Sequence, residues 1–227
     1  MMKKNLRTSV QSAIASSLER FQNPKIILAF SGGLDSCVLL DACVGAGFKP
    51  IIIHVNHQCQ DQAKDWVAFA ESKAAHYQLE HFIENVETKM PQGASVEAFL
   101  RQERYRLIQK HCDKHTVVLM AHHLDDQTET VLMRLMHGCG VNGLGAMAPE
   151  RYLDQGKLLR PFLGLLRSDL EAYAKGEGLT WIEDPSNDDL RYDRNFIRHE
   201  LMPLLQKRFD KVPAKLAQTA RIARYYE

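Results

Sequence analysis

The stretch KIILAFSGGLDSCVLL, residues 25–40, decides the fold of the first half of this chain. An apolar run precedes two glycines, and a second apolar run with helical spacing follows them. This order predicts a strand, a tight loop and a helix. Backbone N–H groups left free at the start of a helix can surround a phosphate, and glycine allows the close approach that this requires.

The loop FSGGLDS could also be an ordinary tight turn in which Asp35 or Ser36 caps the helix. It lacks the lysine of the GxxxxGK[ST] nucleotide loop, so cleavage at a terminal phosphate by that machinery is not expected. Two serines, two glycines and one aspartate together favour a phosphate site. The Asp35 carboxylate would then be placed to hold magnesium.

β-rich runs continue to alternate with helical segments as far as about residue 150. Four strands are predicted, over residues 26–29, 50–55, 79–86 and 116–121. Strands that alternate with helices predict a parallel sheet with crossover connections. The predicted fold class is therefore α/β: a parallel, twisted, Rossmann-like sheet with helices on both faces, followed by a helical C-terminal segment.

A second polar block follows the last of these strands, in the stretch VVLMAHHLDDQTET (117–130). Like the first loop, it has an apolar strand before the polar residues and a helix after them. Both blocks are therefore predicted at carboxyl ends of strands, where open α/β sheets bind ligands. Asp126 and Glu129 fit a helix-cap pattern, which leaves the two histidines and Asp125 unexplained. Zinc is the rival metal. Because the block lacks HExxH and cysteine pairs, its oxygen ligands suit magnesium better.

Two further patterns carry polar side chains toward the same region. IIIHVNHQ places His54 and His57 at the end of a strand, where a histidine is either structural or a ligand contact. EAFLRQERY carries Glu97, Arg101 and Arg104 on one predicted helix. Glu97 and Arg101 could form a solvated ion pair worth about 0.3 kcal/mol. Arginines that face a phosphate site would contribute more.

The stretch GCGVNG (138–143) formally satisfies GxGxxG. A dinucleotide-binding loop must follow a strand and open a helix, whereas this stretch follows a helical segment. The sequence therefore predicts a mobile loop here.

Composition describes an ordinary globular protein of one or two domains, with 227 residues, 45% of them hydrophobic and 25% charged. No apolar stretch approaches the roughly 18 residues of a membrane helix, and the N-terminus lacks the apolar core of a secretory signal. A cytoplasmic protein without a membrane partner is expected. The five cysteines form no CxxC pair and are expected to be reduced. The net charge is +1, yet residues 191–227 hold nine basic against four acidic residues, a local basic surface.

Taken in order, several blocks resemble the tRNA(Ile)-lysidine synthetase family: SGGLDS, HVNH, EAFLRQERY, AHHLDDQTET, RPFL, EDPSN and RNFIRHELMPLL. SGGxDS alone implies the wider PP-loop superfamily of ATP pyrophosphatases, with an adenine nucleotide alpha hydrolase-like fold. In the lysidine family, the enzyme adenylates the C2 carbonyl oxygen of the wobble cytidine in a CAU-anticodon tRNA(Ile) and releases pyrophosphate. The amine of free L-lysine then displaces AMP and gives lysidine. The resemblance implies ATP and Mg²⁺ as cofactors.

The resemblance also implies roles for individual residues. The ATP-binding residues would be Ser31, Gly32, Gly33, Asp35, Ser36 and His54. The catalytic residues would be Asp35, Asp126, His122 and Arg104, and the first two would also be the magnesium ligands. The substrate contacts would be Glu97, Arg101, Asp125, Glu129, Arg191, Arg194, Asn195 and Arg198. Among these, Glu129 or Asp125 would receive the lysine amine. Arg191, Arg194 and Arg198, in or beside the block RNFIRHELMPLL (the RN block), would contact tRNA phosphates.

The resemblance implies a catalytic domain over residues 1–205 and a helical linker, 206–227, toward C-terminal domains that grip the tRNA body. His137 stands where the family usually carries an arginine, so a phosphate contact there is expected to be weaker or pH-dependent. A homodimer is left open. One alternative is another PP-loop tRNA-modifying enzyme of the cytidine thiolase type, although the cysteine pairs for an iron–sulfur cluster are missing. The other is a nucleotide-binding module without turnover.

Overall fold

The computed structural model describes residues 2–57, 63–93 and 95–226. Its strands are β1 (Lys25–Ala29), β2 (Ile51–Asn56), β3 (His81–Asn85), β4 (Thr116–Leu119), β5 (Glu150–Leu153) and β6 (Gly156–Leu159). Its α-helices are α1 (Met2–Leu18), α2 (Leu34–Gly45), α3 (Ala63–Tyr77), α4 (Val96–Gln109), α5 (Leu124–Met136), α6 (Val141–Leu144), α7 (Arg167–Glu177), α8 (Asp193–Phe196), α9 (Met202–Arg208) and α10 (Val212–Tyr225). A 3-10 turn (Pro185–Asp188) precedes α8, and a π-helical turn (Ile197–Leu201) joins α8 to α9.

The strands form one sheet in the order β3-β2-β1-β4-β6-β5. The first three strands run outward from β1, and the chain then returns to place β4 on the other side of β1. Connections leave in opposite directions at this switch point, so a crevice opens at the carboxyl ends of β1 and β4. All four predicted strands are present, with ends within two residues of the prediction.

The far edge of the sheet differs from the predicted parallel arrangement. β5 pairs antiparallel with β6, while β6 is parallel to β4. Only residues 154 and 155 separate β5 from β6, and a connection this short permits a hairpin but not a parallel crossover.

Both faces of the sheet are covered, which confirms the predicted fold class. Successive β1 residues point to opposite sides: Leu28 packs in the cluster that contains α1, α2 and α7, whereas Ile27 packs in the cluster that contains α4. Within the described part of the chain, no helix is long and apolar enough to cross a membrane.

The predicted helical C-terminal segment is confirmed, and it packs on α5. A third apolar cluster joins Leu132 of α5 to Ile197, Met202 and Val212. From α10, Arg224 donates a hydrogen bond to the Met147 carbonyl at 2.9 Å. The role of residues 206–227 as a linker toward further domains stays a prediction.

Four of the five cysteines are described, and they are free thiols. Burial raises the pKa of both Cys37 and Cys43 to about 12, so these thiols are protonated and serve in packing. Cys59 lies outside the described residues.

Gly156 begins β6 at a position with no room for a methyl group. An added Cβ would lie 2.8 Å from the Thr116 carbonyl oxygen and 3.2 Å from that of Asp113. Because both are backbone atoms, we expect Gly156→Ala to lower the free energy of unfolding by about 1–3 kcal/mol. The shift of the urea midpoint at constant slope measures this loss.

Gly176→Ala in α7 is the matched control. Its Cβ would meet nothing within 4 Å, and alanine should favour the helix by about 1 kcal/mol. A midpoint for Gly156→Ala equal to that of the unmodified protein would contradict the close contact between the hairpin and β4.

Candidate active site

The glycine loop leaves the carboxyl end of β1 and enters α2, as predicted. Gly32 has a φ of +86°, a left-handed conformation that favours glycine. Its N–H donates to the Ser36 hydroxyl at 3.1 Å, and the N–H of Gly33 donates to the Ser31 hydroxyl at 3.3 Å. The two hydroxyls therefore occupy backbone donors that phosphate oxygens could take.

Asp35 lies in the first turn of α2, but Gly33 holds the N-cap position. The alternative in which Asp35 or Ser36 caps the helix is therefore wrong. Among the described residues, the buried Oδ1 atom of Asp35 has no hydrogen-bond partner. Its Oδ2 atom lies 3.7 Å from Nε2 of His123. The Asp35 carboxylate thus faces the second polar block and retains capacity for a ligand.

A capping box starts α5, but its members differ from the predicted pair of Asp126 and Glu129. The helix begins at Leu124, so His123 is the N-cap residue. The His123 N–H donates to Oδ2 of Asp126 at 3.0 Å, and the Asp126 N–H donates to Nδ1 of His123 at 3.4 Å. This reciprocal pair fixes the Asp126 carboxylate at the carboxyl end of β4.

His123 is the centre of the site, although no role was predicted for it from the sequence. The residue is 1% exposed, and its ring nitrogens lie 3.4–3.7 Å from carboxylate oxygens of Asp35, Asp125 and Asp126. Burial disfavours the imidazolium, but the negative charges of Asp126, Asp35 and Asp125 outweigh burial and raise the pKa of His123. The signal in the sequence was the histidine doublet, which Leu124 separates from two aspartates.

Asp125 connects two helices of the site. Its Oδ2 atom accepts a hydrogen bond at 2.8 Å from the backbone N–H of Arg167, the first residue of α7. The contact satisfies a donor that the helix itself leaves free. One carboxylate oxygen of Asp125 is thereby engaged in positioning α7.

Glu129 is buried one turn beyond Asp126, with a side chain 2% exposed. Arg198 binds it with two hydrogen bonds, at 2.7 and 3.1 Å, and Arg194 lies 3.4 Å away. Burial raises the pKa of Glu129, and the Arg198 guanidinium opposes this. The two arginines therefore point inward to a buried carboxylate, whereas the family resemblance predicted that they contact tRNA phosphates.

The two other residues predicted in or beside the RN block, Asn195 and Arg191, lie in different environments. Asn195 is 7% exposed and donates to the carbonyls of Ser186 and Asp189, which holds the turn before α8. The Arg191 side chain is 87% exposed and pairs with Asp189 at 2.6 Å. Of the three arginines predicted to contact tRNA phosphates, Arg191 alone is surface-exposed.

The predicted histidines lie around the glycine loop. His54 is 3% exposed and donates from Nδ1 to the Phe30 carbonyl at 3.0 Å, so it ties β2 to the start of the loop. His122 follows β4, and its buried Nδ1 atom has no hydrogen-bond partner in the described part of the chain. Burial, assisted by nearby arginines, lowers the pKa of His122 and keeps it neutral.

Side chains of α4 reach the same region. Arg104 lies 3.5 Å from the His57 ring, and Arg101 packs on the ring of Tyr105 at 5.2 Å. Among the described residues, Glu97 pairs with Arg194 at 3.8 Å, and the alternative of an ion pair between Glu97 and Arg101 is not formed.

The GCGVNG stretch follows α5 rather than a strand, which confirms the rejection of a dinucleotide-binding loop. It contains the first three residues of α6 (Val141–Leu144), so it is not wholly loop. Arg134 donates to the Gly143 carbonyl at 2.7 Å, and Gln127 exchanges hydrogen bonds with the backbone of Met147. These contacts attach the stretch to α5.

Comparisons with known proteins identify relatives of this chain. The tRNA(Ile)-lysidine synthase of Vibrio cholerae serotype O1 is 37% identical over 209 residues, 90% of this chain and 48% of its own length. That of Pseudomonas fluorescens is 41% identical over 198 residues, 85% of this chain and 44% of its own length. The chain thus spans about half the length of the curated relatives it matches. The family resemblance predicted from the motifs is confirmed.

Among solved structures, a U34-tRNA thiolase from Methanococcus maripaludis with its 4Fe-4S cluster superimposes with a TM-score of 0.79. The match covers 99% of this chain and 80% of the thiolase at 18% identity, so the likeness shows the fold alone. The family of the PP-loop domain matches residues 4–205. With a phosphate-type loop after β1, a carboxylate cluster after β4 and this match over most of its length, the chain belongs to the PP-loop domain family.

Proposed function

We propose that this chain carries the catalytic site of a tRNA(Ile)-lysidine synthetase. The reaction would join lysine to C2 of the wobble cytidine in tRNA(Ile) with a CAU anticodon, consuming ATP and releasing pyrophosphate and AMP. The observation that carries the proposal is the cluster of Asp35, Asp125 and Asp126 around the buried His123, beside the glycine loop at the switch point of the sheet. Relatives named tRNA(Ile)-lysidine synthase support the choice of substrate.

Magnesium fits the carboxylates of the cluster. Oδ1 of Asp35 is buried without a hydrogen-bond partner, and Oδ1 of Asp126 lies 3.5 Å from Arg198. Among the described residues, no three or more histidine, cysteine or acidic side chains are arranged to hold a metal ion by themselves. Magnesium commonly takes one or two carboxylates together with waters and substrate phosphates, so Asp35 and Asp126 suffice. When bound, the ion would neutralise charge on the phosphates of ATP.

The chain's own groups would hold the rest of the nucleotide. Ser31 and Ser36 can turn their hydroxyls toward phosphate oxygens, which frees the N–H groups of Gly32 and Gly33 to donate as well. Arg104 and the neutral His122 would stabilise the phosphates or the adenylate.

Lysine attacks only as a neutral amine, so a carboxylate must recognise its ammonium and accept a proton. Both Glu129 oxygens are engaged by Arg198, whereas one oxygen of Asp125 takes the Arg167 N–H. The contacts therefore favour Asp125 over Glu129 as the group that receives the amine. Glu129 would instead hold the two arginines beside the reacting groups.

The proposal is tested by incorporation of radiolabelled lysine into unmodified tRNA(Ile) with a CAU anticodon, in the presence of ATP and magnesium. We expect ATP-dependent label in this tRNA and none in a methionine tRNA with the same anticodon. Exchange of labelled pyrophosphate into ATP, with the tRNA present, reports the adenylation step alone. Absence of both label and exchange would contradict the proposal and favour a nucleotide-binding module without turnover.

The choice between Asp125 and Glu129 is tested in the same assay. Asp125→Asn keeps an oxygen for the Arg167 N–H but loses the charge, so we expect the KM for lysine to rise about tenfold. The KM for ATP should change much less. If the KM for lysine is unchanged, Asp125 does not receive the amine.

A further inference from the structure

Tyr105, on α4, is surrounded by arginines from three separate segments. The guanidinium carbons of Arg101 and Arg151 lie 5.2 and 4.5 Å from the centre of its ring. Burial raises the pKa of the Tyr105 hydroxyl, but the charges of Arg101, Arg160 and Arg151 outweigh burial and lower it. We call Arg101, Arg151 and Arg160, together with Tyr105, the arginine cluster.

The charge of the arginine cluster is uncompensated. Across residues 2–57, 63–93 and 95–226, no carboxylate lies within ion-pair distance of any of its three guanidinium groups. Arg160 is 4% exposed, and its buried Nε atom has no hydrogen-bond partner among these residues. The half-buried Arg194 and Arg198, by contrast, both pair with Glu129. Because a buried guanidinium without a counter-charge is unfavourable, a bound anion would complete the cluster.

The arginine cluster lies next to the candidate active site. Leu119 at the end of β4 is the register partner of Leu159 at the end of β6, so Arg160 follows β6 where Met120 follows β4. Neighbouring strands are about 4.8 Å apart, which places Arg160 one strand away from the segment that leads to His122. The charges of Arg160 and Arg101 act on the His122 ring. Arg151 is exposed, so the cluster reaches from this buried region to the surface.

We propose that the arginine cluster is a phosphate-binding subsite beside the candidate active site. Planar guanidinium groups bind phosphate with paired hydrogen bonds. Their contacts with one aromatic ring preorganise them for the ligand. Two sources can supply the phosphate: the pyrophosphate end of ATP, or a phosphodiester that flanks the reactive nucleotide of a tRNA. The second source rests on the function proposed above, whereas the first requires only that the site bind ATP.

The test uses direct binding to two probes, so that it does not depend on turnover. Inorganic pyrophosphate with magnesium is titrated calorimetrically, and an anticodon stem-loop RNA with a CAU anticodon is titrated by filter binding at several salt concentrations. The variants are Arg151→Gln, at the exposed edge of the cluster, and Tyr105→Phe. Arg7→Gln on α1 is the control, because it removes one exposed positive charge that pairs with Glu177 elsewhere in the fold.

We expect Arg151→Gln to weaken the binding of at least one probe by about fivefold or more relative to Arg7→Gln. A loss confined to pyrophosphate identifies the ATP end. A loss confined to RNA identifies a phosphodiester contact if the slope of log affinity against log salt concentration also falls in magnitude by about 0.7. Loss of both means that the two ligands share the subsite.

Equal affinities of Arg151→Gln and Arg7→Gln for both probes would overturn the subsite. Arg160→Met extends the test to the buried arginine, with circular dichroism to establish that the variant folds. If lysine incorporation fails while Arg151→Gln still weakens pyrophosphate binding, the proposed function is wrong and the subsite stands.

Discussion

Asp126→Asn is expected to reduce lysine incorporation by at least about 100-fold. Asparagine keeps a side-chain oxygen that can accept the His123 N–H, so the N-cap of α5 and the fold should persist. It removes the negative charge that faces His123 and Arg198 and that would bind magnesium beside Asp35. The loss should appear in kcat, and the magnesium concentration for half-maximal rate should rise.

Asp169→Asn is the matched control for Asp126→Asn. Asp169 occupies the same position of α7 and accepts the N–H of Leu166 at 3.2 Å. It therefore undergoes the same chemical change at an equivalent capping position, outside the carboxylate cluster. We expect its rate to stay within about twofold of the unmodified protein. If Asp126→Asn is equally active, the Asp126 carboxylate charge has no part in the reaction.

Glu129→Leu is expected to lower the free energy of unfolding by about 3 kcal/mol. The substitution leaves Arg198 and Arg194, both half-buried, without the carboxylate that they share. Removal of one partner of a buried ion pair costs more than replacement of both, because a lone buried charge is left behind. The double variant Glu129→Leu with Arg198→Leu should therefore recover much of the lost stability, measured by urea unfolding.

The same variants separate stability from function. Both should lose lysine incorporation, since the double variant restores packing but not the charges beside Asp126. Asp189→Ala, which breaks the exposed pair with Arg191, should change stability far less because solvent screens that pair. A double variant no more stable than Glu129→Leu would show that the lost stability does not arise from Arg198 being left without the Glu129 carboxylate.

Parts of the site were predictable because the relevant signal is local. The glycine loop and the AHHLDDQTET block each follow an apolar strand and precede a helix within a few residues. Side-chain periodicity and turn chemistry act over such short distances, so the strand positions and the meeting of the two blocks at carboxyl ends of strands could be predicted. The cap of α5 was assigned to the wrong pair because the helix begins at Leu124, which makes His123 and not Asp126 the N-cap residue.

Contacts between distant segments were not predictable in this way. Arg198 meets Glu129 across 69 positions of sequence, and the Arg167 N–H meets Asp125 across 42. Both depend on how helices pack after the sheet has formed. The antiparallel edge strand β5 likewise depends on which strand accepts the final hairpin.

The α/β alternation, the phosphate-type loop and its carboxylates can be predicted from short segments, because the residues involved are neighbours along the chain. The position of His123 among three carboxylates, the inward orientation of Arg194 and Arg198, and the unpaired arginine cluster around Tyr105 depend on the folded chain. Burial and charge pairing depend on which strands and helices become neighbours in space. That choice is made by packing of the whole chain and not by any short segment of it.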